Sequence, residues 1–286
     1  MNGIVIIDKP TGWTSQDVVS KLRGVLHTKR IGHGGTLDPM ATGVLPVFVG
    51  RATRGVEFFE HAEKTYEAVV RLGVTTDTED ITGDILKTCE VEISEAEFLG
   101  ILENFRGEIQ QIPPMYSAIK INGQKLCDLA RKGKEVERKP RPITIHELTL
   151  LDMGENTLRL RVRCSKGTYI RTLCKDIGQA LGCGGCMAEL RRVSAGAYTI
   201  ADAVPLQTLI QAEQPEQYLA PVDSMFQNYE KVVLTQNQEK RCRNGNSFSV
   251  TLPEGTYRAY GQQGEFLMLA QVKDGVMSTI KSFFEV

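Results

Sequence analysis

The chain has 286 residues, 41% of them hydrophobic, and 34 Lys and Arg against 35 Asp and Glu give a formal net charge of -1. That length and apolar content suffice for one large domain and a small one around real cores, and the summed charge by itself points to no polyanionic partner. No apolar run reaches the roughly 18 residues that span a bilayer, and Met1-Asn2-Gly3-Ile4 lacks the basic region and long apolar stretch of a secretory signal, so the cytoplasm is the expected compartment. Seven scattered cysteines argue for reduced thiols over a disulfide framework. Cys183-Gly-Gly-Cys186 has no second pair at zinc spacing and reads as a turn with two incidental thiols, so no metal is expected.

Gly3 to Ile7 is a short apolar run ended by Asp8-Lys9-Pro10-Thr11-Gly12, which predicts a strand leading into a turn. Lys9 taken alone reads equally well as a solvated surface lysine. Thr14 or Ser15 can cap a helix with Val18, Val19, Leu22, Val25 and Leu26 at helical spacing. Gly32 to Pro46 then carries one acid, one imidazole and four glycines, a composition wrong for a core element. Asp-Pro alone is ordinarily a plain turn. So many permissive positions on both sides of one carboxylate, with Pro39 holding Asp38 extended, predict a stiff loop that presents Asp38. A histidine between glycines, such as His33, is by itself more often a surface residue.

Val44 to Val49 predicts a buried strand. Lys64 to Val74 alternates, with Tyr66, Ala68, Val70 and Leu72 on one face, so Tyr66 starts a strand and points to its apolar side. A tyrosine there is ordinarily core with its hydroxyl at the rim. Asp77 to Asp84 is an acidic, Thr-rich turn. Ser94 and Glu97 have capping-box spacing ahead of a helical stripe of Phe98, Ile101, Leu102 and Phe105 that ends near Gly107. Ile112 to Ala118 breaks regular structure. Between Lys120 and Arg141, eight basic residues face three acidic ones, a local excess of five, while Glu90 to Glu108 is strongly acidic. Charge is thus separated into faces, and one of them could hold a polyanion, although a solvated charged hairpin fits the same composition.

Leu158 to Cys164 is the clearest strand, with Leu158, Leu160, Val162 and Cys164 facing one way and Arg159, Arg161 and Arg163 the other. Three guanidinium groups on one face need carboxylates or phosphates beside them, and both remain open. Gly167-Thr168-Tyr169-Ile170-Arg171 opens a helix with the stripe Ile170, Leu173, Ile177 and Leu181. Thr168 is its expected cap, and Arg171 in the first turn needs a specific anionic partner. Thr199 to Glu230 is punctuated by Pro205, Pro215 and Pro221 and predicts a boundary with one short helix near Leu206 to Ile210. From Lys231 onward, short strand-like pieces separated by Gly-containing turns suggest a small β-barrel.

Five stretches, in sequence order, resemble the TruB family of tRNA pseudouridine-55 synthases: Asp8 to Ser15, Gly32 to Pro46, Lys64-Thr65-Tyr66, Cys164 to Arg171, and Leu190-Arg191-Arg192. They span most of the first two hundred residues, and Asp38 stands at the position of the family's catalytic aspartate. Gly34 departs from the bulkier residue usual in the family, and Cys127 stands where the family generally has an aromatic, so no stacking contact is implied there. The resemblance implies an α+β fold. A pseudouridine-synthase-like catalytic domain with a largely antiparallel mixed sheet would occupy residues 1–230, carrying a basic thumb-like insertion at about 120–141, and residues 231–286 would form a small PUA-like β domain.

The implied activity is cofactor-free isomerisation of uridine 55 in the T loop of tRNA, with base flipping. Asp38 would be catalytic and Arg171 its ion-pair partner. Tyr66 and Tyr169 would line the base pocket, with Tyr66 stacked on the base and proton removal as a secondary role. His33 would help open the T loop, Lys9 with Pro10 would support the active-site loop, and Lys9 and Lys166 would serve substrate binding. The expected partner is the T arm of tRNA, engaged by a monomer, with no membrane and no small-molecule cofactor. A tRNA-binding or RNA-folding module competes with this reading, but Asp38, Tyr66 and Arg171 together argue for chemistry. An aspartate-dependent hydrolase of small nucleosides would leave the basic insertion and terminal barrel without a purpose.

Overall fold

The computed structural model describes residues 1–285. Strand β1 (Gly3–Lys9) extends past the predicted apolar run, because Lys9 is itself an inward-facing strand residue with no exposed surface. Helix α1 (Ser15–Val25) is started by Thr14: its hydroxyl accepts the Asp17 N–H, and the Asp17 carboxylate accepts the Thr14 N–H. The helix buries Val18, Val19 and Leu22. Strands β2 (Ile31–His33) and β3 (Thr42–Val49) bracket the Asp38 loop, and α2 (Val56–Glu60) follows. Strand β4 (Lys64–Leu72) alternates as expected.

Strands β5 (Val74–Thr76) and β6 (Ile85–Thr88) form a hairpin around the Thr-rich turn. Helix α3 (Glu95–Leu102) has the predicted Ser94–Glu97 capping box and buries Phe98 and Leu102. Strand β7 (Gly107–Gln111), the short pair β8 (Lys120–Ile121) and β9 (Gln124–Lys125), and α4 (Leu126–Ala130) lead to the long strand β10 (Arg141–Met153). In β11 (Thr157–Cys164) every second residue from Leu158 is buried and the three arginines between them are exposed. Helix α5 (Ile170–Ala180), strands β12 (Gly185–Ala195), β13 (Tyr198–Thr199) and β14 (Val204–Pro205), and helix α6 (Leu206–Gln211) come next. The C-terminal part comprises β15 (Glu230–Val233), α7 (Gln236–Arg243), β16 (Phe248–Ser249), β17 (Gly255–Tyr260), β18 (Phe266–Lys273) and β19 (Val276–Ser282).

These elements divide into two compact units. One comprises residues 40–44 and 61–200. Its sheet runs β12, β4, β11, β10, β7, antiparallel at every step, with the first residues of β3 added parallel to β12 at Thr42 and Gly43. The expected mixed, largely antiparallel sheet is therefore present. Helix α5 packs on β12 and β4 through the buried stripe Ile170, Leu173 and Ile177. Cys183 lies in the turn after α5, where Gly182 and Gly184 adopt positive φ, and Cys186 is the second residue of β12; both are free buried thiols.

The other unit comprises residues 1–39, 45–60 and Ala201 onward. Here β14 pairs parallel with β1, β1 lies beside β3, and β2 pairs antiparallel with β3. A separate five-stranded sheet, in the order β15, β17, β18, β19, β16, curls into a half-barrel, in line with the small β-barrel expected from the spacing of the strands. It has its own core, in which Leu234, Cys242, Phe248, Tyr257, Leu267 and Met277 meet. No helix among the described residues is long and apolar enough to cross a membrane.

Gly43 shows what the loop glycines permit. Its φ is +98°, and a Cβ built there would lie 2.2 Å from the Arg192 carbonyl oxygen, where β3 crosses closest to β12. Gly43→Ala is expected to cost at least about 2 kcal/mol, from left-handed strain plus the backbone clash, measured by urea denaturation.

Candidate active site

Asp38 belongs to a loop whose two neighbouring residues are both clamped. Before it, the Leu37 N–H donates to Ser15 Oγ at 2.9 Å, and that hydroxyl donates back to the Leu37 carbonyl at 3.2 Å. After it, the Pro39 carbonyl accepts from the Gly12 N–H at 2.8 Å and from Lys9 Nζ at 3.3 Å. Lys9 also donates to the carbonyls of Trp13 at 2.6 Å and Pro10 at 2.9 Å, so the buried ammonium has a protein acceptor for each of its three donors. Asp38 itself is partly exposed. His33 ends β2 opposite Val47 and is half-buried.

The departure at Gly34 has a local cause. A Cβ there would lie 2.6 Å from Phe59 Cδ1 and 2.9 Å from Phe48 Cε2, in space that these two edge-to-face rings already fill.

In the other unit, Tyr66 lies near the start of β4 between Val162 of β11 and Arg192 of β12, half-exposed. Arg192 is fully buried and donates through Nε to the Val44 carbonyl at 2.7 Å. Lys166 is exposed, with Nζ 2.7 Å from His61 Nδ1. Tyr169, not Thr168, occupies the N-cap position of α5. The Thr168 hydroxyl is used instead on the Ser165 carbonyl at 3.0 Å. Both backbone groups of Tyr169 are held by the buried Gln111 amide: its Oε1 accepts the Tyr169 N–H at 2.9 Å, and its Nε2 donates to the Tyr169 carbonyl at 3.0 Å. The sequence reading missed Gln111; its only signal was a glutamine at the inward end of a strand.

Arg171 is in the first turn of α5 and buried. Its guanidinium donates to the carbonyls of Thr78 at 3.1 Å and Tyr116 at 2.8 Å and stands 3.9 Å from Asp80 Oδ2. A carboxylate of the Thr-rich turn therefore stands beside the arginine. Asp80 Oδ1 accepts from Thr78 Oγ1, Thr82 N and Thr82 Oγ1, which fixes the carboxylate and leaves Oδ2 toward the arginine. Beside it, Glu79 has φ +65° and is nearly buried. A glutamate in the left-handed region costs about 1–2 kcal/mol and persists only where its surroundings hold it.

The question left open for β11 is answered by carboxylates. Arg161 meets Glu67 at 2.7 Å, Arg163 meets Glu63 at 2.8 Å and Arg159 lies 3.7 Å from Glu189. These pairs are open to solvent and contribute little to stability. Exposed cations in the 120–141 segment include Lys120, Lys125, Lys132, Lys134, Lys139 and Arg141. Among the described residues, no group of three or more His, Cys, Asp or Glu side chains is arranged to hold a metal ion.

The fold is that of a pseudouridine synthase. It superposes with a TM-score of 0.74 on a chain of an H/ACA RNP bound to a substrate RNA containing 2'-deoxyuridine, covering 99% of this chain and 85% of that one at 23% identity. A chain of a Cbf5-Nop10-Gar1 complex gives the same TM-score at 25% identity. The sequence narrows the class: residues 23–170 match the N-terminal domain of the TruB family of pseudouridylate synthases, and residues 171–227 match the tRNA pseudouridylate synthase B C-terminal domain. The chain belongs to the TruB family and is an isomerase. A tRNA pseudouridine synthase B from Clostridium kluyveri is 42% identical over 289 residues, covering 99% of this chain and all of the relative. One from Dechloromonas aromatica is 46% identical over 258 residues, covering 89% and 85%.

Asp176, on α5, gives this region a pH signature. Burial pushes its carboxyl from 3.8 up to about 6, although Lys175 Nζ lies 3.8 Å away, and the charge of Glu79 adds to the rise. The folded state therefore holds a proton that the unfolded chain releases between those values, and ionisation above about 6 costs stability. Asp176→Asn is expected to raise the melting temperature at pH 8 and to change it little at pH 4, by thermal unfolding at both values. Equal shifts at the two would contradict the assignment.

Proposed function

We propose that this isomerase converts uridine 55 in the T loop of tRNA to pseudouridine, without a cofactor and with Asp38 as its catalytic carboxylate. The observation that carries the reading is the full-length similarity to enzymes named tRNA pseudouridine synthase B, 42% identical over 99% of the chain. The doubly clamped loop supports Asp38 as the group presented for chemistry.

The reaction breaks the bond from ribose C1' to uracil N1, turns the base, and joins C5 to the same C1'. C5 loses a proton and N1 gains one, so nothing is consumed. A carboxylate can attack or stabilise the electron-poor sugar or ring, as in covalent glycosyl chemistry. The uridine, stacked within a folded loop, must first be extruded at a cost of about a few kcal/mol, offset by phosphate and stacking contacts.

Arg171 acts as a catalytic cation, supplying positive charge to the reaction. Tyr66 stacks on the extruded base, with proton removal as a secondary role, since a phenol is a weak base at neutral pH. Tyr169 provides a second aromatic surface for the uracil. His33 helps to open the T loop, and Lys166 with the exposed cations of residues 120–141 meets phosphate. Lys9 serves substrate binding through the loop it supports. Residues 1–230 act as the catalytic domain and residues 231–286 as a PUA-like domain, and the chain works as a cytoplasmic monomer on the T arm.

Incubation of the purified chain with an unmodified tRNA transcript, followed by mapping of pseudouridine at single-nucleotide resolution, tests the reading. Product at position 55, and none when that uridine is replaced by cytidine, is expected. Product confined to other positions, or none despite tRNA binding, would overturn it.

A further inference from the structure

We propose that Glu79 is a positioning residue for Arg171, locking the Thr78–Asp80 segment to helix α5 so that the guanidinium is held in one orientation. The inference rests on the part in the reaction assigned to Arg171 above.

The geometry divides the work among three consecutive residues. Those on either side of Glu79 hold the arginine: the Thr78 carbonyl accepts from it at 3.1 Å, and Asp80 Oδ2 stands 3.9 Å away. Glu79 turns its own side chain to the helix that carries Arg171. Its Oε2 accepts from Thr172 Oγ1 at 2.5 Å and its Oε1 from Lys175 Nζ at 2.7 Å. Thr172 and Lys175 lie one and four positions beyond Arg171, within one turn of α5. Glu79 adopts its left-handed φ between the two groups that hold the arginine, with its own carboxylate turned to the helix.

The segment has a second attachment that does not involve α5. The Met187 N–H donates to the Glu79 carbonyl at 3.0 Å, and the Ile81 N–H donates to the Met187 carbonyl at 2.8 Å, tying the turn to β12. Removing the Glu79 carboxylate leaves those bonds in place but takes away the turn's ties to Thr172 and Lys175 of the helix, so that only the contacts of Arg171 itself join the two. What is lost is the register between Arg171 and the two groups that aim it. Thr172 is fully buried and Glu79 nearly so, so water replaces these bonds poorly.

Single-turnover rates of pseudouridine formation and tRNA affinity, measured well below each variant's melting temperature, test the proposal. Glu79→Ala is expected to slow the reaction about tenfold or more with affinity unchanged, and Glu79→Gln, which keeps an acceptor for Thr172, to restore most of the rate. Arg171→Lys is also expected to slow the reaction, and in that background Glu79→Ala should cost less than about threefold more, because the group it positions is gone. Should the alanine variant not fold, Thr172→Val removes one of the two ties with little change of shape and should show the same non-additivity. An unchanged rate for Glu79→Ala, or an equal loss in both backgrounds, would overturn the proposal while leaving Arg171 in its role. An unchanged rate for Arg171→Lys would instead overturn that role, and the proposal with it, while activity at uridine 55 stood.

Discussion

The presentation of Asp38 depends on a buried ammonium. Lys9 has no exposed surface, and a charge taken out of water in this way is tolerable only where its donors are met. Here they meet the carbonyls of Pro10, Trp13 and Pro39, two from the turn after β1 and one from the residue that follows Asp38. The requirement works in both directions. The lysine must be solvated by carbonyls, and the carbonyls it draws together set the course of the loop. Ser15, at the first residue of α1, does the same for Leu37 with a single hydroxyl that both donates and accepts. A side chain partly open to solvent is thus carried on backbone that has little freedom to relax, which is what the catalytic role proposed for Asp38 requires.

A second set of constraints lies in residues 40–44 and 61–200. The Thr-rich turn spends its hydroxyls on one carboxylate, Asp80, which in turn faces Arg171. Gln111 reads both backbone groups of Tyr169 just before the helix begins. Arginine and tyrosine are therefore positioned by neutral amides, hydroxyls and carbonyls as much as by charge. The three arginines of β11 are occupied by glutamates, whereas Lys120, Lys125, Lys132, Lys134, Lys139 and Arg141 of the 120–141 segment are exposed.

Much of this was legible in the sequence where the signal is local. The alternation in β11, the N-cap of α1, the capping box of α3, and the glycine-rich loop around Asp38 depend on residues within a few positions of one another, and the structure has all of them. Helix α7 was missed because it is short and polar and has no apolar stripe, although Thr235 and Gln238 carry capping-box spacing. Thr168 was expected to cap α5, but its hydroxyl finds a carbonyl three residues back. The partners of Arg171, Tyr169 and Glu79 lie 55 to 96 positions away in the chain, where no periodicity reaches. The small C-terminal barrel was legible as a run of strands, but its pairing order β15, β17, β18, β19, β16 was not, because that depends on which edges meet.

The account turns on Asp38, and the most direct measurement is the single-turnover rate of pseudouridine formation by Asp38→Asn, with enzyme in excess over an unmodified tRNA transcript. Asparagine keeps the shape of the side chain and removes its charge and nucleophilicity. A fall in rate of about 10⁴-fold or more with unchanged tRNA affinity is predicted. A rate within about tenfold of the unsubstituted chain would place the chemistry on another residue and contradict the account.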